Sequence, residues 1–161
     1  MSAVEELHAA LRDAGATVAT AESLTAGRLA ALLTEPPGAS KTFRGGFVTY
    51  ATELKHTLLG VPVSVIETVG VVSAECAAAM AAGARERSGA TYALATTGVA
   101  GPDEQEGKPV GTVYVGVSGP HGETTARLGL SGSRAEIQRD TSLFAVDELL
   151  GLLRREHRRV R

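Results

Sequence analysis

Apolar residues Val4, Leu7, Leu11 and Ala14 recur three and four positions apart, and Gly15 follows them. That spacing predicts an amphipathic helix over 3–14, closed by the glycine. ATVATA (16–21) is short and β-branched at Thr17, Val18 and Thr20, which predicts a buried strand. A second helix is expected from about Thr25 to Thr34, where Pro36 and Pro37 forbid continuation. GGFVTY (45–50) predicts a second strand, and Thr52 then caps a short helix, ELKHTLL, that Gly60 closes. One more helical turn fits Ser64 to Val69. Ser73, with Glu75 behind it, opens an alanine-rich helix over 74–87 that Gly89 ends. ATYALATTG (90–98) predicts a third strand, and GVAGPDEQEGKP (98–109) has no periodicity and is expected to be a loop. VGTVYVGV and ETTARLGL alternate about SGPHG, a hairpin signal. From Ser133 a final helix carries Ile137, Leu143, Val146, Leu149, Leu150 and Leu153.

The order α-β-α-β-α-α-β-β-β-α predicts an α/β fold, a three-layer α/β/α sandwich with a mixed β-sheet. A length of 161 residues, with no linker or internal repeat, predicts a single domain over 1–161. Tryptophan is absent and aromatic residues make up only 4%, so Ala, Val and Leu must build the core. A formal net charge of -2 argues against a nucleic-acid partner. The one basic run, RREHRRVR (154–161), is expected to be a frayed, solvated tail. There is no 18-residue apolar run and no basic leader before an apolar stretch, so no membrane association is expected. Cys76 is the only cysteine and sits among alanines, as a small buried thiol in a reducing cytoplasm would.

Ligands of α/β sheets collect beyond the carboxyl ends of the strands. Three segments deliver polar groups there: Glu22-Ser23-Leu24-Thr25, Tyr50 with Lys55 after it, and Thr96-Thr97-Gly98. A serine at a helix mouth is a cap before it is a nucleophile. Here Thr25 can cap instead, leaving Ser23 to react, with helix N–H groups to receive an oxyanion. None of His8, His56, His121 and His157 sits at a strand end facing Ser23, and no Gly-x-Ser-x-Gly elbow is present. Lys55 is the better base, provided that burial brings its amine toward neutrality. A lysine in TELKHTLLG is equally readable as a solvent-facing helix residue. Thr97-Gly98 opens a turn-rich loop whose amides could cradle an anion, although GxxxxGK[ST] spacing fails at Pro109. Arg134 and Arg139, early in the last helix, could pair a phosphate. No Cys/His cluster or carboxylate set has metal-ligand spacing, so neither metal nor cofactor is expected.

In order along the chain, TAES, GGFVTY followed by Lys55 and LLGV, GVVSAE, TTGVAGPD, KPVGTVYVGV and GSR resemble the CinA C-terminal family, the nicotinamide-nucleotide amidohydrolases. The resemblance covers about residues 5–150. It implies hydrolysis of the carboxamide of nicotinamide mononucleotide to nicotinate mononucleotide and ammonia, in pyridine nucleotide salvage. It also implies a serine nucleophile with a lysine base, no metal, and homo-oligomers. Carried over by motif, these are Ser23 and Lys55, with Tyr50 beside them, Thr97 and Gly98 on the substrate loop, and Arg134 toward the phosphate. Larger CinA proteins carry an additional N-terminal domain, so the chain resembles the stand-alone deamidase form. It departs from the family pattern at Leu24 and Ala26, where cysteine and glycine are usual. It also departs at Thr52 (asparagine), Ser133 (an acid) and Gln138 (arginine). A non-catalytic nucleotide-binding module of the same fold, or an amidase for another carboxamide, is the competing reading.

Overall fold

The computed structural model describes residues 1–161. Helix α1 (Ala3–Asp13) opens with a reciprocal cap, in which Ser2 accepts from the Glu5 N–H and the Glu5 carboxylate accepts from the Ser2 N–H. Then follow β1 (Val18–Glu22), α2 (Arg28–Leu33), a single 3₁₀ turn (Ala39–Lys41) and β2 (Phe43–Val48). Helices α3 (Thr52–Leu59), α4 (Val63–Thr68) and α5 (Ala74–Ser88) lead to β3 (Tyr92–Gly98). The hairpin of β4 (Thr112–Gly119) and β5 (Gly122–Gly129) precedes α6 (Arg134–Arg159). All the expected elements are present, with ends displaced by up to three residues apart from the end of α6.

The five strands lie in the order β2-β1-β3-β4-β5. β1 is parallel to both β2 and β3, while β3–β4 and β4–β5 are antiparallel, so the sheet is mixed as expected. Central position dictates composition: all of β1 and the first six residues of β3 are buried, and both are small or apolar up to the polar residues at their carboxyl ends, Glu22 in β1 and Thr96-Thr97 in β3. Edge strand β2 alternates between half-buried and exposed. One core, including Leu7, Leu29, Leu94, Ile137 and Leu149, lies under α1, α2 and α6. The other, including Leu59, Val61, Met80 and Ala95, lies under α3 and α5. These are the two outer layers.

The basic tail is not frayed. α6 continues through Arg159, because Tyr92 Oη donates to Glu156 at 2.5 Å and Arg154 pairs with Glu6 of α1. The leucine stripe stops at Leu153, and these two side-chain contacts hold the last turns against the body. No helix is long and apolar enough to cross a membrane.

Candidate functional site

Because β1, β2 and β3 are parallel, their carboxyl ends share one edge, and the chain leaves each with a polar group: Ser23, Tyr50 and Thr97. A cavity of about 180 Å³ lies there, lined by Ser23, Tyr50, Lys55, Thr97, Gly98 and Arg134, together with Thr52, Asp103 and Gln105 from the flanking segments. Six of the nine side chains singled out from the sequence thus meet in one place. Glu22, Thr25 and Arg139 do not line it. Arg139 is five residues beyond Arg134, about 140° round the helix. Its guanidinium, 64% exposed, instead meets Asp140 at 3.3 Å.

Glu22 and Thr25 do something the sequence reading assigned differently. Thr25 does not cap α2. The cap is the carboxylate of Glu22, fully buried, which accepts from the N–H groups of Leu29 at 2.8 Å and Ala30 at 3.1 Å. Thr25 Oγ1 donates to the same carboxylate at 2.6 Å and meets Thr96 Oγ1 at 2.8 Å. The helix therefore starts at Arg28, and Ser23–Gly27 form a turn between strand and helix. Its first donors are taken by Glu22, so they are not available to an oxyanion. The N–H groups of Leu24 and Thr25 in the turn make no hydrogen bond. Ser23 is tied through its N–H to the Thr96 carbonyl at 3.0 Å, while its hydroxyl has no partner and faces the cavity. Ala26 holds φ +46, a left-handed conformation that glycine adopts at no steric cost.

Lys55 shares the inner face of α3 with Leu59, one turn on, and is 1% exposed. No carboxylate pairs with it. Its amine donates to the carbonyls of Thr49 at 2.7 Å and Tyr50 at 3.3 Å. Desolvation pushes its pKa below the ordinary lysine value, against the opposing influence of Cys76, Glu106 and Glu53. Cys76 is itself pushed up to about 11 by burial, so it remains a thiol near neutrality. No hydrogen bond joins Lys55 to Ser23.

Arg134 forks at the cavity mouth, one nitrogen donating to the Gly101 carbonyl and the other to Tyr50 Oη at 2.9 Å. Ser133 is the N-cap of α6, and Gln138 donates to the Leu24 carbonyl at 2.9 Å. At both positions the side chain holds backbone. Residues 99–101 supply further free donors, since the Ala100 and Gly101 N–H groups make no hydrogen bond. Thr52, expected as the cap of α3, is instead its first residue and lines the cavity. Asp103 and Gln105 were not anticipated as lining residues, because a loop without periodicity carries no signal for where its side chains point. His8 is consumed in the core, between Thr42 Oγ1 at 2.5 Å and the Leu33 carbonyl at 2.7 Å.

The CinA C-terminal domain profile matches residues 1–153. The chain belongs to the CinA C-terminal domain family. It is 54% identical over 140 residues to a CinA-like protein of Frankia casuarinae, covering 87% of this chain and 31% of that protein. A CinA-like protein of Synechocystis is 50% identical over 127 residues, 78% of this chain and 30% of that one. The chain spans about a third of the length of these curated relatives. Among solved structures, a CinA superfamily protein from Escherichia coli superposes with a TM-score of 0.91 at 33% identity, covering 93% of this chain and 88% of the other. A competence/damage-inducible protein from Agrobacterium tumefaciens gives 0.86 at 36%, covering 94% and 99%. The shared fold thus extends over nearly the whole CinA domain.

Proposed function

We propose that this CinA-family chain is a metal-independent amidohydrolase that converts nicotinamide mononucleotide to nicotinate mononucleotide and ammonia. The observation that carries the reading is the dry, carboxylate-free amine of Lys55 opening on the same cavity as the unpartnered Ser23 hydroxyl. A neutral amine has two N–H donors and one lone pair. The Thr49 and Tyr50 carbonyls absorb both donors, which leaves the lone pair to accept the serine proton. Apo contacts between nucleophile and base are commonly long and tighten with substrate.

The Ser23 proton passes to Lys55 and Oγ attacks the amide carbon. The oxyanion goes to the free Leu24 N–H group in the turn, because Glu22 occupies those of α2. The C–N bond breaks as protonated Lys55 returns the proton to the departing ammonia. Water, deprotonated by Lys55, then hydrolyses the ester and restores the serine. Arg134 stands at the mouth and suits a phosphate.

Ammonia release from nicotinamide mononucleotide should be measurable in the wild type and should fall by about 10³-fold or more in Ser23→Ala and in Lys55→Met. Equal rates for wild type and Ser23→Ala would sink the nucleophile assignment. One observation favours a second reading, a nucleotide-binding module without turnover: Gln138, where an arginine is usual, spends its amide on the Leu24 carbonyl. Binding of the nucleotide without ammonia release would establish it.

A further inference from the structure

Val71 and Val72 form the wall of the cavity beside Lys55, and both side chains belong to the core beneath α5. They lie in the turn between α4 and α5, where no strand or helix supplies backbone partners. All four of their backbone polar groups are nevertheless satisfied, and every partner is a side chain. The Glu106 carboxylate accepts from the Val71 N–H at 3.0 Å and the Val72 N–H at 2.8 Å. Thr97 Oγ1 donates to the Val71 carbonyl at 2.7 Å, and Lys108 Nζ to the Val72 carbonyl at 2.5 Å.

Glu106 holds an unusual backbone conformation to do this. Gln105 and Lys108 exchange two backbone hydrogen bonds around Glu106 and Gly107, whose φ values are +53 and +73. Two left-handed residues in a two-residue loop make a type I′ turn, which favours Asn or Gly at the position Glu106 occupies. A longer side chain there brings its Cβ close to the following carbonyl oxygen and is disfavoured. The tip of an exposed loop thus bears strain, and what it aims inward is one carboxylate at the wall of the cavity.

We propose that Glu106 is a positioning residue: its carboxylate clasps the Val71–Val72 turn against Lys55 and so keeps the catalytic base dry. This rests on Lys55 being the base, as argued above. The groups facing Lys55 are Glu106 on the loop, Glu53 on its own helix and Cys76 on α5. Loss of Glu106 has two consequences of opposite sign. Removing a nearby negative charge alone would lower the pKa of Lys55. Opening the wall to water would raise it toward the ordinary lysine value. Burial is the largest influence on this amine, so the second effect is expected to dominate.

The chain has three lysines, Lys41, Lys55 and Lys108, so ¹³C-lysine labelling resolves the Lys55 side chain, and its titration can be followed by NMR without substrate. In Glu106→Ala the Lys55 midpoint should move up by roughly half a pH unit or more. In Glu106→Gln, whose amide oxygen can still accept from the Val72 N–H, the rise should be smaller than in Glu106→Ala. The acid limb of the ammonia-release profile should move upward in parallel. A midpoint in folded Glu106→Ala equal to or below that of the wild type would overturn the proposal. Should the wild type release no ammonia, the deamidase reading fails, yet the titration still decides whether Glu106 keeps the amine dry.

Discussion

A lysine amine inside a protein either finds a carboxylate or gives up its proton more readily, and Lys55 has found none. Its folded-state pKa is depressed below the ordinary 10.5, so between these two values the unfolded chain binds more protons than the folded one. Stability contributed at this position therefore rises with pH through that window. The melting temperature of the wild type should gain on that of Lys55→Met as pH is raised toward 10.5; a constant difference would mean that the amine is solvated. Glu22 is the other buried ionisable side chain at the site, with three hydrogen bonds to its carboxyl group. Glu22→Gln removes one acceptor oxygen and should cost about 2 kcal/mol in denaturant unfolding, with loss of ammonia release as the Ser23 turn loosens. Ala26 offers the converse test. Its backbone is left-handed, a conformation that glycine adopts without strain, so Ala26→Gly should stabilise the fold by ~0.5 kcal/mol in the same assay.

Between elements, the position of Lys55 depends on how closely α3 can approach α5. An added Cβ at Gly83 would lie 1.9 Å from the Leu59 carbonyl oxygen, at the end of α3 one turn beyond Lys55. The alanine-rich face of α5 and this glycine together permit the contact. Gly83→Ala should cost about 2–3 kcal/mol by calorimetry and also reduce ammonia release, because the shift is transmitted along the helix that carries the base. Stability loss with unchanged turnover would show that α3 tolerates displacement without moving the amine. Pocket geometry is decided likewise by the strand-to-helix turns: β1 ends in a carboxylate that caps the next helix, which leaves Ser23 and the free Leu24 amide at the cavity floor.

In the whole molecule, the site lies at one end of the parallel part of the sheet, and the tail of α6 is attached elsewhere. Ending the chain after Leu153 removes the Tyr92–Glu156 hydrogen bond and the Arg154–Glu6 pair. The expected result is a loss of about 1–2 kcal/mol in stability with ammonia release retained. Loss of turnover in the shortened chain would tie the tail to the site, contrary to the contacts it makes.

Element types and their order, the mixed sheet and the meeting of Ser23, Tyr50, Lys55, Thr97 and Gly98 follow from hydrophobic period, turn residues and the polar groups at strand ends, while the family resemblance added Arg134. Local chemistry writes all of these along the chain. The i,i+4 spacing of Lys55 and Leu59 is the signal along the chain for an inward-facing lysine, and it runs against the usual exposure of that residue type. Only the tertiary structure decided that Glu22, rather than Thr25, caps α2, that Arg139 turns away, and that the tail stays helical. It alone assigned Glu106 to the wall beside Lys55. Each of these is a hydrogen bond or a direction set by partners distant in sequence or by angles accumulated round a helix, and no short stretch of residues encodes it.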